Sequence, residues 1–261
     1  MTTRDDFLAL HVPGDPLLIP NPWDVGSARV LAALGFRALA TTSAGFAATL
    51  GRRDGAVTRD EAVTHGGQIA AAVAVPVSAD LENCFADDPA GVADTVERAV
   101  AAGLAGCSVE DWSGSAIYDP VLARERVAAA VEAAAGRIVI TARAENHLHG
   151  HDDLSDTIAR LQSYGEAGAD VLYAPGPTAG ADIGAIVRAV GQPVNVIPLA
   201  GSPSVRELAD LGVARISVGS HFARVAFGAL ARAGRELLEQ GTYGFLELGA
   251  EGGSAMAVAF H

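Results

Sequence analysis

The chain has 261 residues, half of them hydrophobic and 5% aromatic, and carries a formal net charge of −13. That length suits one (β/α)8 barrel, typically about 250 residues, and the acidic balance excludes a nucleic-acid surface, which needs basic clusters. All 18 basic residues are arginine, so Schiff-base chemistry and a lysine general base are excluded, and a carbonyl substrate would need activation by a metal or by hydrogen bonds.

The start, Thr2 to Asp6, is polar and acidic rather than basic then apolar. No apolar run approaches the ~20 residues of a membrane span. A soluble, cytoplasmic protein is expected. Cys84 and Cys107 form neither a disulfide framework nor a zinc spacing. Eight strands are expected at Leu17–Ile19, Ala38–Thr42, Val75–Asp80, Gly106–Glu110, Ile138–Arg143, Val171–Ala174, Val194–Ile197 and Ala214–Val218. Helical patterns fill the gaps. Thr58-Arg59-Asp60-Glu61 is a capping box. Asp88-Pro89 and Asp119-Pro120 each place an N-cap before a proline at the first helical position.

A helix ending at Gly, with an apolar strand following at once, recurs at Gly35, Gly103, Gly168 and Gly212. Gly accepts the left-handed conformation that ends a helix. Parallel strands with right-handed crossovers close at eight. The expectation is one domain over residues 1–261, with a helical extension from about residue 221. That extension is a long helix, Phe222 to Gln240, and a Gly-rich tail, Tyr243 to His261. It either packs on a partner subunit or caps its own barrel.

Three apolar runs end in charge: Asp80 and Glu82, then Glu110 and Asp111, then Arg143 and Glu145. Carboxylates at neighbouring strand ends repel unless a cation joins them. Asp80 with Glu110 is the preferred metal pair, with Glu82 as a further ligand. Hard oxygen donors favour Mg²⁺ or Mn²⁺. One of Glu110 and Asp111 faces the site and the other the helix layer. Arg143 is costly to bury without an anion and suits a bidentate grip on a substrate carboxylate, or else an internal ion pair with Glu110 or Glu145. Thr42, Ser43 and Ala44 could form an anion-binding nest or simply a tight turn. His147, His149 and His151 read as a solvated loop, Cys84 as a small rim residue and Cys107 as core.

These residues resemble the isocitrate lyase/phosphoenolpyruvate mutase family over most of the chain. Asn21-Pro22-Trp23-Asp24 is similar to its Asn-x-Trp-Asp segment, and Thr41-Thr42-Ser43-Ala44-Gly45 to its substrate-binding turn. Leu50-Gly51-Arg52-Arg53-Asp54 resembles its Leu-Gly-x-x-Asp loop, which implies Asp54 near substrate and metal. Ser78-Ala79-Asp80 resembles its Asp-x-Asp segment with Ser78 for the first Asp; Glu110-Asp111, Ala142-Arg143 and Asn195 match further positions, implying substrate contact at Asn195.

The resemblance implies a barrel whose last helix swaps between partners in a homodimer or homotetramer. The implied chemistry is Mg²⁺-dependent C–C or P–C bond cleavage or formation next to a 2-oxo acid, through an enolate. The Lys-Lys-Cys-Gly-His loop of the lyases is absent. Trp112-Ser113-Gly114-Ser115-Ala116-Ile117-Tyr118 stands there instead, leaving Tyr118 or water as the expected proton donor. A small dicarboxylate such as oxaloacetate or a methylisocitrate-like acid is the expected substrate. The alternatives are phosphonopyruvate-type chemistry and a catalytically weak barrel that binds a 2-oxo acid.

Overall fold

Each strand is short and alternates in character, and that alternation builds the architecture. The computed structural model describes residues 4–260; Met1 to Thr3 and His261, the outermost residues of the expected single domain, lie outside the described residues. The strands are β1 (Leu17–Ile19), β2 (Leu39–Ala40), β3 (Val77–Ala79), β4 (Gly106–Glu110), β5 (Val139–Arg143), β6 (Val171–Tyr173), β7 (Val194–Val196) and β8 (Arg215–Ser217). They form one sheet in the order β1-β8-β7-β6-β5-β4-β3-β2, every pairing parallel. Ala40 N donates to Pro20 O at 3.1 Å across the β1–β2 seam, so the barrel is nearly closed. This is the expected (β/α)8 architecture.

The helices are α1 (Arg4–Leu8), α2 (Val25–Ala33), α3 (Ser43–Thr49), α4 (Arg59–Ala72), α5 (Pro89–Ala101), α6 (Pro120–Ala134), α7 (Leu154–Glu166), α8 (Gly180–Ala189), α9 (Val205–Asp210), α10 (His221–Arg235) and α11 (Leu246–Ala259). The Thr58–Glu61 capping box opens α4, and Asp88-Pro89 and Asp119-Pro120 open α5 and α6 as the sequence predicts. β2 and β3 are shorter than expected. Thr41 N still donates to Ser78 O, but Asp80 N then bonds to the Thr41 hydroxyl. A side chain replaces the ladder partner there, and the strands part at the rim.

Outward residues such as Cys107, Val109, Ile140 and Leu172 pack under the helices. The inward ones divide by height. Phe7 of α1 plugs the lower barrel against Leu17, Ile19, Val139 and Val171. Gly106 permits this: a Cβ there would lie 2.8 Å from Val139 O and 3.1 Å from the Phe7 ring. The upper interior is polar and open. Among the described residues no helix is long and apolar enough to cross a membrane.

The expected helix over Phe222–Gln240 is α10 continued by a π-helical turn at Glu236–Gln240. The tail forms α11, which packs against α2 of its own chain, with the Phe260 ring close to Gly26. Phe222, Val225, Leu230, Leu238 and Val258 are exposed.

Candidate active site

The C-terminal ends of the strands surround a cavity of about 870 Å³. Inward positions of β3 to β5 supply its acidic wall, because register pairs Glu110 with Arg143 and Asp80 follows β3 directly. Asp80, Glu82, Glu110 and Arg143 all line the cavity. Arg143 sits among carboxylates: Nη1 lies 2.6 Å from Glu110 Oε1 and 3.1 Å from Asp80 Oδ1, and Nε donates to Glu145 Oε1 at 2.7 Å. Its guanidinium also lies 5.0 Å from the Tyr173 ring centroid. Of the sequence alternatives for Arg143, the internal ion pair is present, with both Glu110 and Glu145. Its Nε and Nη1 are paired, while the group as a whole still faces the cavity.

Asp80 is the hub. Oδ2 accepts from Ser43 N at 3.1 Å, and Oδ1 accepts from the Ser108 hydroxyl at 3.3 Å. Glu110 N donates to Glu82 O, which holds the two acidic residues side by side. Glu82 has φ of 51°, and Cys84 and Phe85 follow at 59° and 56°. Such left-handed non-Gly residues are strained and persist where surroundings fix them. Arg126 does the fixing: its guanidinium donates to the carbonyls of Asn83, Ala86 and Glu110.

Oε1 of Glu82 is buried without a hydrogen-bond partner. Burial, then the charges of Asp80 and Asp54, push its pKa up to about 7. Glu110 is held well above the ordinary carboxylate range by burial, against the opposing pull of Arg143. Asp54 stands on the exposed rim, hydrogen-bonded to Ser43; its pKa is raised by desolvation and by Asp80.

Thr42, Ser43 and Ala44 line the cavity at the start of α3, with the Thr42 hydroxyl accepting from Gly45 N as N-cap. Asp111 faces the helix layer instead, accepting from Glu145 N, Tyr164 and Arg160. Asn195 does not line the cavity. It is buried in β7 and donates to the hydroxyl of Ser217, which does line it. Tyr118 is also outside the lining. Its hydroxyl donates to Asp87 and accepts from Asn83, and Arg126 stacks on its ring at 4.1 Å. The expected proton donor is a packing residue whose pKa is raised by burial.

Cys84 and Cys107 are fully buried, and burial pushes the Cys84 thiol up to about 12. The histidine loop is less solvated than expected: His149 stacks on Trp112 with ring centroids 3.5 Å apart, joining the loops after β4 and β5 over the cavity.

Sequence reasoning gave no role to Asn21, beyond its place in a family-like segment, and passed over Arg215. Asn21 ties the barrel rim together, donating to Thr41 O and accepting from Val218 N and Gly219 N. Arg215 reaches the cavity from the start of β8 with a single side-chain hydrogen bond, to the Thr141 hydroxyl. Its signal was an arginine two residues before Ser217 inside an apolar strand, which alternation turns inward.

Fold and cavity together define a barrel enzyme whose pocket sets a cluster of carboxylates against two arginines. The chain belongs to the phosphoenolpyruvate phosphomutase family, whose sequence pattern matches residues 7–238, and it is an enzyme of the isocitrate lyase/PEP mutase superfamily. It is 51% identical to a Burkholderia cenocepacia J2315 protein assigned only provisionally as a lyase/mutase, whose crystal structure superposes with a TM-score of 0.91 over 94% of this chain and 91% of that one. It is 28% identical to 2,3-dimethylmalate lyase, a PEP mutase/isocitrate lyase superfamily member, with a TM-score of 0.82 over 94% of this chain and 90% of that one. The 2-methylisocitrate lyase of Escherichia coli K12 is 30% identical over 188 residues, 64% of this chain and 63% of that protein.

Proposed function

We propose a Mg²⁺- or Mn²⁺-dependent lyase or hydrolase that cleaves a C–C bond of a small 2-oxo or 2-hydroxy dicarboxylate, such as oxaloacetate or a methylisocitrate-like acid, through an enolate. The observation that carries this reading is the charge imbalance of the acidic wall. Asp80, Glu82, Glu110 and Glu145 gather around one guanidinium, and a buried Glu82 oxygen has no partner. Like charges so placed call for a further cation.

The donor set fits Mg²⁺, which takes oxygen ligands and keeps waters and substrate oxygens in its shell. Among the described residues no three His, Cys, Asp or Glu side chains are grouped as a metal site, and Asp80 and Glu110 are paired with Arg143, so the carboxylates would have to turn toward an arriving ion. Asp80, Glu82 and Glu110 would hold it. There it would polarise a substrate oxygen as a Lewis acid.

The remaining work falls to this chain's own groups. Thr42, Ser43 and Ala44 present hydroxyl and backbone N–H groups to a substrate carboxylate. Arg143 is kept rigid by Glu110 and Glu145, and its Nη2 is left for a substrate oxygen. Ser217, oriented by Asn195, adds a hydroxyl. Asp54 positions water at the rim, and that water protonates the enolate. The exposed apolar residues of α10 and α11 support a homodimer or homotetramer; α11, which packs on α2 of its own chain here, would have to leave that seat to be exchanged between subunits. The family's phosphomutase description favours one second reading, P–C chemistry on a phosphonopyruvate-like acid in the same pocket.

The experiment is an assay of 2-oxo and 2-hydroxy di- and tricarboxylates and phosphonopyruvate with Mg²⁺, on wild type and on the Cys84→Ser, Cys107→Ala double variant. Metal-dependent turnover of a dicarboxylate, largely kept in the double variant, is expected. Turnover of phosphonopyruvate alone selects the second reading. Activity lost on changing Cys84, with the fold intact, would refute a thiol-free mechanism.

A further inference from the structure

Arg215 is 5% exposed. Nη1 donates to the Thr141 hydroxyl at 3.1 Å, and Nε has no partner. Among the described residues no carboxylate forms an ion pair with it. Burial lowers its pKa to about 10, and the charge of Arg143 adds to that, against Tyr173 and Asp80. A buried cation in such surroundings is unfavourable unless something offsets it.

The fold itself does not offset it. Arg126 is an equally buried arginine without a carboxylate, but its guanidinium donates to three loop carbonyls and stacks on Tyr118. Arg126 therefore secures a loop. Arg215 secures nothing comparable, and it lines the cavity. Around it Thr141, Tyr173 and Ser217 also face the cavity, and all are neutral groups able to donate a hydrogen bond. Arg143, by contrast, already shares its charge among Asp80, Glu110 and Glu145.

We propose that Arg215 holds the second carboxylate of the substrate, the one remote from the acidic wall, and so sets the enzyme's preference for dianions over monoanions. The assignment rests on the dicarboxylate reading above and sharpens it. One carboxylate is gripped at Ser43 and Arg143. The other reaches β8, where Nη2 of Arg215 donates to it while Thr141 and Ser217 donate to its remaining lone pairs. A charge-assisted bond of this kind is stronger than a neutral one.

The test compares malate with lactate in the presence of Mg²⁺, and succinate with propionate without metal, by calorimetry and thermal shift on wild type, Arg215→Met and Arg215→Lys. Wild type should prefer each dianion. Arg215→Met should lose at least about 30-fold in malate affinity with lactate affinity unchanged, and its melting point should stay level or rise because an uncompensated buried charge is gone. Arg215→Lys should recover part of the malate preference. If neither malate nor lactate binds wild type while succinate is still preferred through Arg215, the 2-hydroxy or 2-oxo acid reading fails and the anion assignment stands. The assignment is overturned if wild type prefers neither dianion, if malate and lactate affinities fall together, or if Arg215→Met fails to fold.

Discussion

The β3–β5 arc of the cavity and the β8 side are built on opposite electrostatic plans. In the first, Asp80, Glu110 and Glu145 share Arg143 at 2.6–3.1 Å, and Glu82 adds a further carboxyl whose pKa is pushed up to about 7. In the second, Arg215 has one hydroxyl partner. The same side chain is a cross-link in one place and an open charge in the other. An arginine's role in a pocket is therefore read from what already surrounds it, not from its presence at a strand end. An acidic arc short of cations and a basic arc short of anions would together suit the proposed ligand, with a metal at one end and a carboxylate at the other.

The sharpest way to break this contrast is Arg143→Lys. An ammonium cannot hold Glu110, Asp80 and Glu145 in the present planar arrangement. Dicarboxylate binding should weaken by about 2–5 kcal/mol, and the melting point should fall, whereas Arg215→Met leaves stability intact. Calorimetry with malate and a melting curve for each variant decide the matter. An Arg143→Lys protein that binds and melts like wild type would erase the difference between the two arcs.

A smaller effect comes from Glu82. Its pKa in the folded protein is raised from 4.5 to about 7 by burial first and Asp80 second. The folded state thus binds more protons than the unfolded state between those values, so stability falls as pH rises through that window and levels off above it. Glu82→Gln should flatten this slope and gain on the order of 1–2 kcal/mol above pH ~7, after allowance for solvent at the cavity. Adding Mg²⁺ should reverse the order, since the ion favours the ionised carboxyl. Parallel pH–melting profiles for the two proteins without metal would contradict the assigned environment.

Much of the acidic arc was legible because neighbouring parallel strands bring their ends together. Asp80, Glu110 and Arg143 each close an apolar run, and register pairs Glu110 with Arg143. β1 and β4 coincide with their expected spans for the same reason: apolar alternation bounded by turn residues. The other side was hidden. Alternation gives the face of a residue but not its height in the barrel or what stands across the interior, so Arg215 looked like one more strand residue. Tyr118 illustrates the converse. Its loop was placed correctly beside the site, but Arg126, Asn83 and Asp87 turn the ring away, and those partners lie 8 to 35 positions distant in the chain. Asn195 likewise faces inward yet meets the cavity wall only through its hydrogen bond to Ser217.

The central claim is that the acidic arc holds a divalent cation together with the substrate's oxygens. Titration calorimetry of Mg²⁺ into wild type and Asp80→Ala, each with oxalate present, tests it directly. Wild type should give saturable heat that requires oxalate, and Asp80→Ala, stripped of the hub that joins Ser43, Ser108 and Arg143, should give none. Equal heats from the two proteins would contradict it.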